Sequence, residues 1–390
     1  MRHALSDALA VLLPGPDGTL LLKACLEPAE SGRRACENWL RKHDDFKSVR
    51  TTEFVKSFLP LLFHAVRSHS LDVRNPLLLT ILKTAALREE LRTKTYRHIY
   101  HHVLSVLRRN EIPAILLKGA ALGETVYPDP SLRHSHDIEI LVQDLNLPEV
   151  ARLLSEAGFV PSETKLERGR DHLQLVHESG LPLVLHRTLF EIPFYNTALL
   201  QICSRARTVL LLDTPAQVLS PSDVLFHTCG HAAYSVSRES YRWISDAWFI
   251  VDRYRDLDWD LFIKTASETQ LALPLSVTLT YMAEQLNSPI PSKFLDDLLA
   301  AASQTKSIGC ELALFGARSS SRGGFRNLIR EARNWRAQMR IIKWMVLPSP
   351  AYVRWVTERQ HVWLLPLQYL YRPVRYASRR IRPALRTFAN

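Results

Sequence analysis

Residues 114–142 read AILLKGAALGETVYPDPSLRHSHDIEILV, and the order of apolar and turn-forming residues in this stretch decides the fold. The apolar run 114–117 predicts a short buried strand, and the Lys-Gly pair at 118–119 is typical of a turn that leads into a helix. Pro and Asp at 128–130 mark a loop, and the alternation over 138–142 predicts a second strand. The stretch is therefore predicted to fold as strand, turn, helix, loop and strand.

The sequence on either side of this stretch predicts mainly helices. Residues 54–109, and the segment from Ser220 onward, repeat apolar side chains three and four positions apart. Residues 172–186, HLQLVHESGLPLVLH, predict two strands around a turn. We therefore predict an α+β protein whose mixed sheet core is flanked by N-terminal and C-terminal helical regions. The predicted boundaries are 1–105 for the N-terminal helical region, 106–215 for the core, 216–317 for the C-terminal helical region and 318–390 for a basic helical tail.

The composition is that of an ordinary folded protein. With 390 residues, of which 46 % are apolar and 23 % charged, the chain is long enough for two or three packed units. The five cysteines are far apart in the sequence, which argues against a zinc clip or a disulfide framework. The sequence shows neither a secretory signal nor a run long enough to span a bilayer, so we expect a cytoplasmic protein.

Asp137 and Glu139 are the candidate metal ligands. Side chains two positions apart on a strand point to the same face, so these two carboxylates are expected to stand side by side. Two such carboxylates repel each other unless a cation lies between them, and paired carboxylates commonly hold Mg²⁺ against phosphates. The same pattern is also typical of a solvated strand face, and the pair alone does not decide between the two interpretations.

Lys118, Gly119 and Arg133 are the candidate phosphate-binding residues. Lys118 and Gly119 lie where a strand meets a helix, a place at which backbone N–H groups and the helix dipole favour anions. Arg133 precedes Asp137 by four residues and would supply a second cation. The alternatives are that Lys118 is an exposed turn lysine and that Arg133 is a surface loop arginine.

Five motifs, taken in their order along the chain, resemble the uncharacterised nucleotidyltransferase family of the DNA polymerase β-like superfamily. The resemblance implies a nucleotidyltransferase fold that uses Mg²⁺ or Mn²⁺ and an NTP. The motifs are LLKGAALGETVYP at 116–128, SLRHSHDIEILVQD at 131–144, LPLVLHRTLF at 181–190, DVLFHTCGHAA at 223–233 and YRWISDAWFIVDR at 241–253.

The resemblance also assigns roles to single residues. It implies that Lys118 and Gly119 belong to the turn that grips phosphates, and that Arg133 is the arginine of the loop before the metal strand. It implies that Asp137 and Glu139 are the metal-binding pair. Trp243 and Asp246 match a helical W-x-x-D element, for which we expect a structural role.

The chain departs from the family pattern at Val184, which stands two residues before His186 where relatives carry a third carboxylate. Valine neither binds Mg²⁺ nor accepts a proton. Three outcomes stay open: Glu178 or Glu191 substitutes, two carboxylates and water hold the metal, or the domain binds a nucleotide without turning it over.

Two histidines in the predicted C-terminal helical region have metal-ligand spacing. His227 and His231 are four positions apart on a predicted helix, but the position after His227 is Thr228 rather than the glutamate of a zinc-protease motif, and no third ligand is in view. We expect them to be structural or core-lining. Motifs of serine hydrolases, P-loop proteins and dinucleotide-binding proteins do not occur in the sequence.

The basic tail separates two hypotheses about function. Residues 318–390 contain sixteen Lys and Arg against two acidic residues, whereas the rest of the chain is close to neutral. Three interpretations stay open: helices packed on the body with a solvated basic face, a helix on the anionic inner face of a membrane, and, least favoured, a nucleic-acid partner. The first hypothesis is transfer of a nucleoside monophosphate from an NTP to an unknown acceptor. The second is a non-catalytic nucleotide-binding or membrane-surface scaffold protein of a biosynthetic complex.

Overall fold

A seven-stranded mixed sheet forms the centre of the protein. The computed structural model describes residues 13–44, 53–142, 147–161, 172–190, 195–211, 214–234 and 241–302, together with Trp335 and Met339. Within these residues the strand order is β3-β4-β5-β2-β1-β7-β6. The strands are β1 (Ala114–Leu117), β2 (Ile138–Val142), β3 (Phe159–Pro161), β4 (His172–His177), β5 (Pro182–His186), β6 (Arg207–Leu211) and β7 (Thr214–Val218).

The register of the central strands brings the predicted motifs together. Strands β1 and β2 run antiparallel with Leu117 opposite Glu139. Strand β5 runs parallel to β2 on its other side, with Val184 beside Glu139. Residues paired in this way point to the same face of a sheet, so this face at the start of β2 carries the polar side chains.

The opposite face of the sheet is the main apolar core. Alternate residues of the central strands, such as Ile138, Ile140 and Leu185, are completely buried there. Helix α4 (Pro76–Arg109) and helix α6 (Leu147–Ser155) belong to the same core through residues such as Val103 and Leu154. Burying one face of the strands fixes their register, because a slip by one residue would turn the apolar side chains to the other face.

Helices precede the sheet and follow it. Asn75 caps α4 through its side-chain oxygen, which accepts from the backbone N–H groups of Leu77 and Leu78, and Pro76 occupies the first helical position. The helices before the sheet are α1 (Pro16–Leu26), α2 (Ala29–Lys42), α3 (Glu53–Ser68) and α4; α5 (Lys118–Thr125), α6 and α7 (Leu199–Ser204) lie among the strands. Those after it are α8 (Pro221–Tyr234), α9 (Arg242–Arg253), α10 (Trp259–Glu268), α11 (Ala272–Gln285) and α12 (Ser292–Ala302).

The α+β class and the mixed sheet predicted from the sequence are confirmed. The strand pair around 114–142, the hairpin of β4 and β5, and the helix that begins at Pro221 all form as predicted. Strands β3, β6 and β7 were not predicted. The predicted basic tail, 318–390, lies outside the described residues except for Trp335 and Met339, both of which are exposed.

The chain divides into two compact units. One comprises residues 13–233 and 237–305 and contains the whole sheet. The other comprises 1–12, 234–236 and 306–390. Within the described part of the chain, no helix is both long and apolar enough to cross a bilayer.

Candidate functional site

Lys118 begins helix α5 directly after β1, and its backbone is in the left-handed region with φ of +44°. A residue with a Cβ atom is strained there, typically by about 1–2 kcal/mol, so the surrounding structure has to hold this turn in place. Leu117 at the N-cap makes no side-chain capping bond. The junction therefore presents a lysine and an uncapped helix start at the polar face of the sheet.

Glu139 is the centre of a buried polar cluster. Its Oε1 atom lies 2.5 Å from Nζ of Lys118 and 3.2 Å from Nε2 of His186. Burial disfavours the charged form, but Lys118, His186 and His231 outweigh it and hold the pKa of Glu139 well below its usual range. Glu139 is therefore an ionised carboxylate that already has two partners.

Asp137 has a different environment. It is half-buried just before β2, and among the described residues its carboxylate makes neither a hydrogen bond nor an ion pair. Burial and the neighbouring Glu139 raise its pKa, although Lys118, Arg133 and His186 partly oppose the shift. A carboxylate that is repelled by its neighbour and lacks a donor has its oxygen lone pairs open for a cation.

Helix α8 brings two histidines close to this cluster. His231 Nε2 lies 3.1 Å from Lys118 Nζ, and His227 Nε2 lies 3.2 Å from the carbonyl oxygen of Leu189. Burial and the Lys118 ammonium hold the pKa of His231 well below its usual range, and the same two causes lower that of His227 to about 3. Both side chains are neutral at physiological pH. A structural or core-lining role was predicted for both; His227 is buried and His231 is half-buried, and the contact of His231 with Lys118 was not predicted.

Arg133 is held by Asp246 of helix α9. Its Nε and Nη2 atoms donate to Oδ1 and Oδ2 of Asp246 at 3.0 and 2.7 Å. Its Nη1 atom donates to the carbonyl oxygen of His134 at 2.6 Å and to Oγ of Ser135 at 3.2 Å. The guanidinium thus fixes the loop that leads to Asp137 onto helix α9. The binding of a triphosphate by Arg133 stays a prediction, and in this arrangement three of its nitrogen atoms already have partners.

Gly119 is required by close packing against the same loop. A Cβ atom at this position would lie 2.3 Å from Oγ of Ser135 and 2.9 Å from Nη1 of Arg133, closer than atoms approach in folded proteins. The absence of a side chain at Gly119 therefore lets helix α5 and the loop before β2 touch. The phosphate contact of the Lys118-Gly119 turn is a separate role, and it stays a prediction.

Val184 stands where the sequence analysis expects it. It is half-buried and paired in register with Glu139 on the polar face. Glu178 is exposed in the hairpin between β4 and β5, where its backbone N–H bonds the carbonyl oxygen of Gly158, and no contact joins it to Asp137 or Glu139. Glu191 lies outside the described residues.

The two carboxylates fit a divalent cation that arrives with a substrate. Within the described residues, no group of three or more His, Cys, Asp and Glu side chains is arranged to hold a metal by itself. Mg²⁺ is commonly held by one or two carboxylates together with substrate phosphates and water, and Asp137 without a donor meets that requirement. The Lys118 ammonium already contacts Glu139, so the two carboxylates do not enclose a metal ion before a ligand binds.

Only some residues of this site could be predicted from the sequence. Lys118 lies against Glu139, two residues after Asp137; the contacts of Glu139 with His186, of Lys118 with His231 and of Arg133 with Asp246 were not predicted. The signal for His186 is its place on β5, two residues after Val184 and on the same face. The contacts of His231 and Asp246 depend on helix packing, for which local sequence carries no signal.

Comparison with known proteins adds a family to this geometry. Residues 54–287 match the family model described as uncharacterised nucleotidyltransferase. Among solved structures, the chain is similar to an antigenic nucleotidyltransferase-like protein from Paracoccidioides brasiliensis, with 14 % identity and a TM-score of 0.30 over 51 % of this chain and 88 % of that one. A similarity that low assigns neither a residue nor an activity to this chain. No curated protein matches the chain.

Proposed function

Because the chain belongs to the uncharacterised nucleotidyltransferase family, we propose that it transfers a nucleoside monophosphate from an NTP to an acceptor hydroxyl or phosphate, with Mg²⁺ or Mn²⁺ as cofactor. The observation that carries the proposal is the pair Asp137 and Glu139 beside the Lys118 turn. Among the described residues the carboxylate of Asp137 has no donor, and Glu139 is ionised next to the Lys118 ammonium. Such a site offers both a cation position and an anion position within one cluster.

Four residues of the cluster would take part in the proposed reaction. Asp137 and Glu139 would hold the divalent ion, which when bound would neutralise negative charge on the phosphates. Lys118 would exchange its contact with Glu139 for one with the phosphate chain, and neutral His231 would keep the Lys118 ammonium oriented. An acceptor oxygen would then bond to the α-phosphorus while the bond from that phosphorus to the pyrophosphate oxygen breaks, and the proton of a hydroxyl acceptor would pass to solvent.

The rate of the proposed reaction depends on how the proton of an acceptor hydroxyl is removed. Valine at position 184 cannot take that proton, although it lies beside Glu139 on the polar face. General-base help typically contributes about 10²–10⁴-fold to a rate, so transfer to a hydroxyl would be slow. The same observation favours a second candidate function, nucleotide binding without turnover, as in a scaffold protein.

Ligand-induced stabilisation tests whether a nucleotide binds. We expect ATP, GTP, CTP or UTP to raise the melting temperature with Mg²⁺ and much less without it, because a ligand at about 100 times its Kd stabilises the folded state by about 2.7 kcal/mol. Asp137→Asn should lose the effect. Glu149→Gln, which alters an exposed carboxylate paired with Arg152, should keep it. If none of the four nucleotides stabilises the wild type, the proposed function is wrong.

A further inference from the structure

Arg242, the first residue of helix α9, is a half-buried cation that has no acidic partner among the described residues. Its Nη1 atom donates to the carbonyl oxygen of His134 at 3.0 Å. No carboxylate of the described residues forms an ion pair with it. A carbonyl oxygen does not neutralise a guanidinium, so the charge of Arg242 is left over in this part of the protein.

Asp246, an acidic residue on the same helix, is already bound by Arg133. Both oxygens of Asp246 accept from Arg133, and Oδ1 also accepts from the hydroxyl of Tyr127 at 2.7 Å. The carbonyl oxygen of His134 receives Nη1 of Arg133 as well as Nη1 of Arg242. Two guanidinium groups therefore meet at one oxygen atom while a single carboxylate serves one of them.

The backbone around Arg242 adds to the imbalance. A positive charge at a helix N-terminus is unfavourable because the helix dipole is positive there, and the first turn of α9 contains no acidic residue. Burial and the neighbouring Arg133 lower the pKa of Arg242 to about 10, with Asp246 and Asp137 acting in the opposite direction. An anion bound at the guanidinium would offset these unfavourable contributions by stabilising the charged form.

Asp137 is the complementary group. It follows His134 by three residues in the same loop, its carboxylate has no hydrogen bond within the part of the chain that the structure describes, and it acts on the charge of Arg242 without forming an ion pair with it. We propose that Arg242 binds the phosphate chain of the substrate while Asp137 binds the cation that accompanies it. This inference rests on the proposed function for the identity of the anion. It gives to Arg242 the phosphate contact that the sequence analysis assigned to Arg133.

Binding of Mg²⁺-tripolyphosphate and of Mg²⁺-ATP by the full chain tests this proposal. Arg242→Gln keeps an amide that can bond the carbonyl oxygen of His134 but removes the charge. We expect its affinity for both probes to fall by about ten- to a hundred-fold, as for a lost charge-assisted hydrogen bond, with Arg242→Lys in between. Arg253→Gln, at the exposed far end of the same helix, should bind like the wild type.

The outcomes separate this inference from the proposed function. If the wild type binds both probes and Arg242→Gln, folded by circular dichroism, binds them equally well, only the role of Arg242 is wrong. If Arg242 is needed for tripolyphosphate but no nucleotide is transferred to any acceptor, the anion site stands and the transferase function fails. If the wild type binds neither probe, both are wrong. Should Arg242→Gln fail to fold, Arg242→Lys at neutral pH replaces it, and binding of both probes as tight as that of the wild type would overturn the inference, because an ammonium lacks the paired donors of a guanidinium.

Discussion

At the scale of single residues, the two carboxylates of the site differ although they stand two positions apart, Asp137 just before β2 and Glu139 within it. Glu139 has an ammonium and an imidazole as partners, and Asp137 has none among the described residues. Their pKa values accordingly move in opposite directions, down for Glu139 and up for Asp137. Substitution of Glu139 is therefore expected to lower the stability of the fold, whereas substitution of Asp137 is expected mainly to weaken ligand binding.

Asp137→Asn should make the folded protein more stable at neutral pH. The folded-state pKa of Asp137 is raised by burial and by Glu139, so its ionised form opposes folding above that pKa. The gain should shrink as pH falls through the raised pKa and vanish below 3.8, where the group is protonated in both states. Urea unfolding between pH 3 and pH 7 measures this. A loss of stability at pH 7 would mean that Asp137 has a partner in solution.

Glu139→Gln should destabilise the protein by about 1–3 kcal/mol at pH 7, because the buried Lys118 ammonium loses its acceptor. The folded-state pKa of Glu139 is lowered, so its stabilisation is present above 4.5 and is lost as pH falls through the lowered pKa. The difference from the wild type should therefore narrow in acid. Glu149→Gln, which removes an exposed ion pair with Arg152 on α6, serves as the control and should leave stability almost unchanged.

At the scale of elements, the contact between helix α5 and the loop before β2 depends on one missing side chain. Gly119→Ala should cost about 1–3 kcal/mol by overpacking, because the new Cβ atom would lie 2.3 Å from Oγ of Ser135. Gly123→Ala in the same helix should be tolerated, since its nearest neighbour is 3.5 Å away. Thermal unfolding of both variants, and of Gly119→Ala combined with Ser135→Gly, measures the effect. Equal stability of the two alanine variants would contradict the close contact.

Strand β5 carries the test of the empty carboxylate position. Val184→Asp should cost about 1–3 kcal/mol without Mg²⁺, because the new carboxylate is half-buried beside Glu139, and should regain stability when Mg²⁺ is added. If an acceptor is supplied, turnover should rise. Leu185→Asp places the same charge in the apolar core on the opposite face and should unfold the protein with or without Mg²⁺. An aspartate at 184 that ignores Mg²⁺ would remove this position from the metal site.

Elements with a clear apolar period could be predicted, and those with a broken pattern could not. Strands β2 and β5 alternate, and their pairing followed from the motifs at 137–139 and 184–186. Strand β7 contains Pro215, which argues against a strand in the interior of a sheet, and β3 has only three residues. The contacts of Lys118 with His231 and of Arg133 with Asp246 join residues 113 positions apart, so only tertiary packing determines them.

At the scale of the whole molecule, the uneven charge of the chain makes the basic tail a separable feature. Truncation after residue 317 should leave a nucleotide-binding body and abolish association with anionic vesicles, because sixteen Lys and Arg are removed with only two acidic residues. Vesicle co-sedimentation at low and high salt measures this, and salt should weaken the association of the full chain. If the full chain ignores anionic vesicles at low salt, the proposed membrane contact is wrong. Neutral vesicles serve as the control.

The ion pair between Arg133 and Asp246 has a consequence for the nascent chain. Asp246 follows Arg133 by 113 residues, so at a synthesis rate of about 5–20 residues per second it leaves the ribosome about 6–23 s later. During that interval β1 and β2 are both available, but the loop between them has no anchor on α9. A newly made chain is therefore expected to pass through a stage in which Asp137 lies on an untethered loop, and the proposed binding of Mg²⁺ and nucleotide is expected only after α9 has been synthesised.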